Sequence, residues 1–182
     1  MFDGRWSLIG AHIKALVLLP GTVTIIVPSI LLFFDQSARS TWGTPAAFMI
    51  VMMMIGSVLL ISGLFLLVAT NREFFYIGSG TLAPWSPPLR LVVSGIYRHV
   101  RNPMITGVLA ILLGEAIVFG SVSLLIWFSG FLIVNLLYIP FIEEPSLERR
   151  FGTSYKLYKE NVPRWIPRVT PWNQPTNEVP QR

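Results

Sequence analysis

The chain has 182 residues, of which 53% are hydrophobic and only 13% charged. A soluble domain carries roughly a quarter charged residues, so the composition points to a membrane protein. With no cysteine, disulfides, thiolate metal sites and a cysteine nucleophile are excluded. The two histidines, His12 and His99, are far apart, and no metal-ligand spacing is present. The net charge of +5 would suit nucleic acid, but the basic residues follow the positive-inside rule instead. The expected partner is therefore the bilayer, with no nucleic acid and no metal.

The first apolar run, Ile13 to Phe34, is long enough to cross a bilayer. Arg5 and Lys14 precede it, but no small-residue cleavage site follows, so a retained span is expected rather than a signal peptide. Pro20-Gly21 and Pro28 predict a kinked or broken helix. A polar loop, Asp35 to Thr44, leads into a second run, Pro45 to Ala69, which has no charge. Gly56 and Gly63, seven apart, share a face on which another helix can pack closely.

From Asn71 to Asn102 the chain is polar and rich in proline and glycine, with Gly78-Ser79-Gly80 and Pro84, Pro87 and Pro88. It is too irregular to span. The Gly-Ser-Gly follows no clear strand and lacks a third glycine at the dinucleotide spacing, so a Rossmann reading is rejected. A third run, Pro103 to Phe119, and a fourth that reaches Phe141 meet at Gly120-Ser121 and read as a helical hairpin. In Glu143 to Arg168, Leu147, Phe151, Tyr155 and Tyr158 form one stripe of an amphipathic helix. The fold class expected is thus all-α integral membrane, with about four transmembrane helices and a cytosolic C-terminal amphipathic helix. Residues 1–168 are expected to form one membrane domain, 1–70 as two scaffold spans and 71–168 as the half that carries the candidate site. Residues 169–182, with Pro171, Pro175 and Pro180, read as a flexible tail.

Four spans place the N-terminus, the 71–102 loop and the C-terminal segment on one side. Every Lys and Arg except Arg39 lies there, which predicts a cytoplasmic face of an inner or plasma membrane, with both termini cytoplasmic. All candidate chemistry shares that face. Tyr97, Arg98, Arg101, Asn102 and Pro103 mark a helix N-terminus, where free N–H groups and arginines favour an anion. The plainer alternative is that these arginines only anchor the chain to headgroups. Glu143-Glu144 sits at the end of the fourth span, either as a negative helix cap or as an acceptor for ligand hydroxyl or ammonium groups. The hairpin brings the cationic cluster and the carboxylate pair to the same end, an arrangement that suits a zwitterion. Glu115 lies inside the third span and is a functional candidate by position. Gly107, Ala110 and Gly114 on that helix allow close approach of a helix or ligand.

These segments together resemble the isoprenylcysteine carboxyl methyltransferase and phospholipid methyltransferase superfamily of membrane enzymes. The resemblance rests on Gly-Ser-Gly-Thr-Leu-Ala-Pro-Trp (78–85), Ser-Gly-Ile-Tyr-Arg-His-Val-Arg-Asn-Pro-Met-Ile-Thr-Gly (94–107), Glu-Glu-Pro-Ser-Leu (143–147), Phe-Gly-Thr-Ser-Tyr-Lys-Leu-Tyr (151–158) and Val-Pro-Arg-Trp-Ile-Pro (162–167). It implies a methyltransferase with S-adenosylmethionine as donor and a lipid-like acceptor, a carboxylate or an amine. It further implies a donor site of Tyr97, Arg98, Arg101, Asn102, Pro103, Gly107, Glu143, Glu144, Tyr155 and Trp165. Glu144, His99 and Glu115 are the catalytic candidates for moving a proton. Asn102 stands where many relatives have histidine, and Asn cannot titrate near neutral pH. Ile105 replaces a common tyrosine, and Asn161 replaces an arginine frequent in the prenylcysteine branch. Two other classes remain open: an NADPH-dependent reductase of the sterol reductase type, and a non-catalytic lipid-binding membrane protein.

Overall fold

The computed structural model describes residues 17–35, 45–77 and 91–173. The Gly-Ser-Gly and proline cluster, Arg39 and the end of the tail lie outside them. Among the described residues the chain is helical and has no strand. The elements are α1 (Val17–Ile26, wound as a π-helix), α2 (Val27–Phe34), α3 (Ala46–Ile77), α4 (Pro103–Phe119), α5 (Val122–Tyr138), α6 (Glu144–Phe151) and α7 (Thr153–Asn161). A 3-10 turn, Gly95–Arg98, precedes α4, and a π turn, Ile139–Glu143, joins α5 to α6.

Among the described residues two helices are long and apolar enough to cross a membrane, Ala46–Glu73 and Val122–Phe151. Pro20–Phe34 and Pro103–Phe119 are shorter apolar helices. At about 1.5 Å rise per residue, α4 reaches roughly 26 Å, somewhat less than a bilayer core. Ile61 and Phe65 on α3 and Ile126 on α5 are 67–70% exposed. Faces this apolar are costly in water but suit lipid.

The break expected at Pro20 and Pro28 is present, and its freed backbone groups are satisfied. Pro28 offers no N–H to the Val23 carbonyl five residues back, and the Trp127 indole N–H donates to it at 3.1 Å. Thr24 donates its hydroxyl to the Pro20 carbonyl at 2.7 Å. The centre of the bundle is α4. Its Val108, Ile111 and Leu112 are buried with Leu67 of α3, and Val23, Trp127, Phe128 and Phe131 pack against them.

The α3–α4 contact runs through glycine, as the spacing predicts. A Cβ on Gly63 would stand 2.6 Å from the Gly107 carbonyl oxygen and 2.7 Å from Ile111 Cγ1. One on Gly56 would meet Val118 at 2.6 Å and the Gly114 carbonyl at 3.0 Å. The two helices therefore touch backbone to backbone at both pairs. The α4–α5 hairpin closes as expected: Gly120 ends α4 in the left-handed conformation, and the Ser121 hydroxyl caps α5 by accepting from Leu124 N–H.

Several boundaries differ from expectation. The second apolar helix continues past Ala69 to Ile77, because Asn71, Arg72 and Glu73 are compatible with helix once it leaves the apolar zone. The fourth helix does not stop at Phe141. It passes through the π turn, in which Glu144 N–H bonds to the Ile139 carbonyl, and continues to Phe151. Pro140 and Pro145 remove two ordinary helical donors there, and the wider turn accommodates the loss. The amphipathic C-terminal helix is two helices, broken at Gly152 with φ 57°. The aromatic stripe survives the break: Tyr155, Tyr158, Val162 and Trp172 form a buried cluster with Leu147 and Phe151 against it. Trp172 therefore belongs to the fold, not to a tail. Its ring lies 5.9 Å from that of Tyr158, and its N–H donates to the Arg98 carbonyl at 2.9 Å.

Gly63→Ala is expected to destabilise the chain by about 1–3 kcal/mol, the usual cost of overpacking. Gly130→Ala, where nothing lies within 4 Å, should change stability by no more than about 0.5 kcal/mol. Thermal unfolding in detergent compares them, and equal Tm values would rule out the tight α3–α4 contact.

Candidate functional site

The chain before α4 has no regular ladder, so its backbone groups need other partners. The segment 163–172 supplies them. Arg101 N–H donates to the Pro163 carbonyl at 2.9 Å and Arg168 N–H to the His99 carbonyl at 3.0 Å. Arg98 Nε donates to the Trp172 carbonyl at 3.0 Å, and its Nη2 bonds Asn173. On the other side, the Tyr158 hydroxyl donates to the Tyr97 carbonyl at 2.7 Å. This strap holds residues 97–101 in place at the mouth of α4.

Glu144 is the hub of the side chains. It is 2% exposed. Arg101 Nη1 reaches its Oε1 at 2.9 Å. Arg164 grips both oxygens, Nε to Oε1 at 2.7 Å and Nη2 to Oε2 at 3.0 Å. Lys159 Nζ lies 3.3 Å from Oε2 and 2.7 Å from Glu148. Each carboxylate oxygen thus has two cationic donors, which fills its lone pairs. The hydrogen bond with Glu144 pushes the Arg164 guanidinium further up, and that with Glu148 does the same for Lys159.

The cationic cluster and the carboxylate pair therefore meet at one end, as the hairpin requires. The gap between them is closed, because Arg101 binds Glu144 directly. The two glutamates separate in role. Glu143 is half-buried, and among the described residues it has no hydrogen bond or ion pair. It lies close enough to Tyr97 to influence it. Burial first, then Tyr158, Glu143 and Glu73, push the Tyr97 phenol well above its ordinary value. Glu73, at the end of α3, accepts from the Ser94 hydroxyl. Gly95 has φ 49°, a conformation that L side chains rarely adopt, and a Cβ there would press on the Glu73 carboxylate, so glycine is favoured.

The remaining candidates lie as follows. His99 is half-buried, with Nδ1 2.8 Å from the Arg168 carbonyl. That carbonyl can only accept, so Nδ1 carries the proton and Nε2 is the acceptor of the neutral ring. Asn102 stands at the N-cap of α4, yet its side chain makes no cap bond; its carbonyl takes the Thr106 N–H and hydroxyl. Pro103 is buried in the first turn. Tyr155 is buried beside the knot, and Trp165 is half-buried next to Arg164. Two candidates lie elsewhere. Gly107 is occupied by the α3 contact. Glu115 sits about 18 Å of helix rise from Pro103. Among the described residues its buried Oε2 has no hydrogen-bond partner.

Sequence reasoning missed Arg164, Lys159 and Glu73. The only cue for Arg164 was its place in Val-Pro-Arg-Trp. Among the described residues, no three His, Asp or Glu side chains gather as a metal site would require.

Removing Glu144 would strand the nearly buried Arg101. Glu144→Ala is therefore expected to cost about 3–5 kcal/mol in unfolding free energy. A loss below about 1 kcal/mol would mean that the knot is not formed in solution.

Alkaline pH supplies a second test. Burial first, then the charge of Glu144, pushes the Tyr155 phenol up to about 12. Burial also raises Tyr158. Between the ordinary phenol value of about 10 and these raised values, the folded chain keeps protons that the unfolded chain releases. The contribution to stability is complete below about pH 10 and is lost as pH rises toward 12. Tyr155→Phe should make the fall in Tm over that range shallower, and an unchanged slope would remove Tyr155 from the account.

Neither a curated protein nor a solved structure matches the chain. A family model does: residues 46–154, from the start of α3 to the first turn of α7, match the phospholipid methyltransferase model. That stretch includes Arg101, Glu143 and Glu144, and it covers more than half of the sequence. The chain belongs to the phospholipid methyltransferase family.

Proposed function

We propose that this protein transfers a methyl group from S-adenosylmethionine to a lipid-like acceptor, a carboxylate or an amine, at the cytoplasmic face of a membrane. The observation that carries this reading is the family match across the Arg101–Glu144 knot, at one end of apolar helices. The topology is four spans: α1–α2, α3, α4 and α5. The site end carries Arg72, Arg98, Arg101, Arg149, Arg150, Lys156, Lys159, Arg164 and Arg168, which favours the cytoplasmic side.

The donor's sulfonium is already activated. When bound, the donor would supply a methyl group to an acceptor lone pair, with the carbon–sulfur electron pair leaving on sulfur. The protein mainly aligns the reactants, a contribution on the order of 7–11 kcal/mol. Glu144, with both oxygens occupied, serves to hold Arg101 and does not act as a base. Glu143 has free lone pairs, and it is the carboxylate suited to the donor's ammonium or ribose hydroxyls. An amine acceptor must also lose a proton, and His99 Nε2, the ring nitrogen not engaged with the Arg168 carbonyl, is the candidate to take it. Tyr97, Arg98, Arg101 and Asn102 line the donor side, with Tyr155 and Trp165 as aromatic walls.

The test is a parallel titration of the purified chain with labelled S-adenosylmethionine and with NADPH. Donor binding is expected, and Arg101→Ala should weaken it about 100-fold. A preference for NADPH would overturn methyl transfer, and binding of neither would leave a lipid-binding protein. Native membranes incubated with the labelled donor then identify the acceptor from the labelled product.

A further inference from the structure

The family match ends at residue 154, yet two of the three cations on Glu144 come from beyond it. Arg164 has particular geometry. Its Nε and Nη2 bind Glu144 side-on. A guanidinium is a planar fork with a second, end-on edge. That edge, formed by the Nη1 hydrogens and the remaining Nη2 hydrogen, has no partner among the described residues. The side chain is 31% exposed, whereas that of Glu144 beneath it is 3% exposed. Arg164 and Lys159, the latter 37% exposed, are therefore the cations through which the knot opens to water, and of the two only Arg164 has a planar fork.

Two further facts make this a fixed edge rather than a loose surface arginine. The preceding residue, Pro163, accepts from Arg101 N–H, and Arg168 is bonded to His99 through both backbone and ring. The side-on grip by a buried carboxylate then sets the plane of the guanidinium. In addition, three cations (Arg101, Lys159, Arg164) share the two carboxylates Glu144 and Glu148.

The geometry points to Arg164 as an oxyanion-binding residue: its free end-on edge takes a carboxylate or phosphate of a bound ligand, in the bidentate manner that guanidinium favours. Two ligands bring such a group to this end, the carboxylate of the amino-acid part of the methyl donor and the phosphate of a lipid headgroup. For the donor, this deepens the proposed function. For the headgroup, it holds without it.

The experiment uses the full chain in detergent and two ligand pairs, each differing by the oxyanion-bearing part. S-adenosylhomocysteine is compared with 5′-methylthioadenosine, and dihexanoyl phosphatidic acid with dihexanoylglycerol, by calorimetric titration of wild type, Arg164→Gln and Arg164→Lys. The wild type should prefer the oxyanion-bearing member of one pair. Both variants should lose roughly 10- to 100-fold of that preference, and the affected pair names the source. A merely structural role would weaken both members of a pair alike. Arg164→Lys keeps the charge near Glu144 and decides the matter if Arg164→Gln fails to fold. A preference unchanged in a folded variant, or no preference in the wild type for either pair, overturns the assignment. Wild type that ignores S-adenosylhomocysteine but shows an Arg164-dependent phosphate preference would refute the donor reading and keep the oxyanion site.

Discussion

The constraint on which the rest depends is one buried carboxylate. Glu144 has room for four donors and receives them from Arg101 on one side of it in the chain and from Lys159 and Arg164 on the other. Satisfying it fixes the approach to α4, the start of α6, the last turn of α7 and the strap beyond. A charge in a poorly solvated place tolerates little error in its partners. The irregular segments around it are therefore as well determined as the helices.

The helices set where that carboxylate stands. Glycine lets α3 and α4 touch along their length, which places the end of α3, with Thr70 and Glu73, beside the turn that carries Tyr97. The Gly120–Ser121 corner returns α5 alongside α4, so that α5 ends where α4 began. At that far corner the Ser121 hydroxyl donates to Asp35 at 2.7 Å, tying α2 to the same hairpin. The π turn then adds a wide turn of helix just before Glu144, rotating α6 by about 100° relative to a regular helix. Without it, Glu143 and Glu144 would exchange faces with their neighbours, and the split between a saturated and a free carboxylate would not arise.

Much of this was legible because a bilayer writes long signals. Apolar runs, a Gly-Ser corner and glycines seven apart are local patterns, and each predicted its element or contact. Arg101 and Glu144 were legible as a pair because a hairpin must bring its ends together. Arg164 was not. It is one basic residue among many near its end of the molecule, and its partner lies twenty residues away through a bend and two helix ends. The π turn was hidden for a related reason: Pro140 and Pro145 signal a stop in an ordinary helix, and only packing shows that the chain widens and continues. Trp172 was misread because prolines surround it, although its indole has an aromatic cluster to join. Asn102 does stand at the start of α4, but its carbonyl, not its side chain, does the local bonding.

Buried ion clusters are seldom the cheapest way to stabilise a fold, because desolvation offsets most of the attraction. An apolar plug of similar volume would hold α6 against α4 as well. Such a plug would not orient a guanidinium plane. Charge-assisted bonds are directional where apolar contacts are not. In this chain they act in sequence, from a carboxylate on the transmembrane helix to arginines on either side of it. The knot thus carries the rigid register of the membrane helices out to the irregular segments. There, Arg101 and Arg164 are held at fixed angles about Glu144.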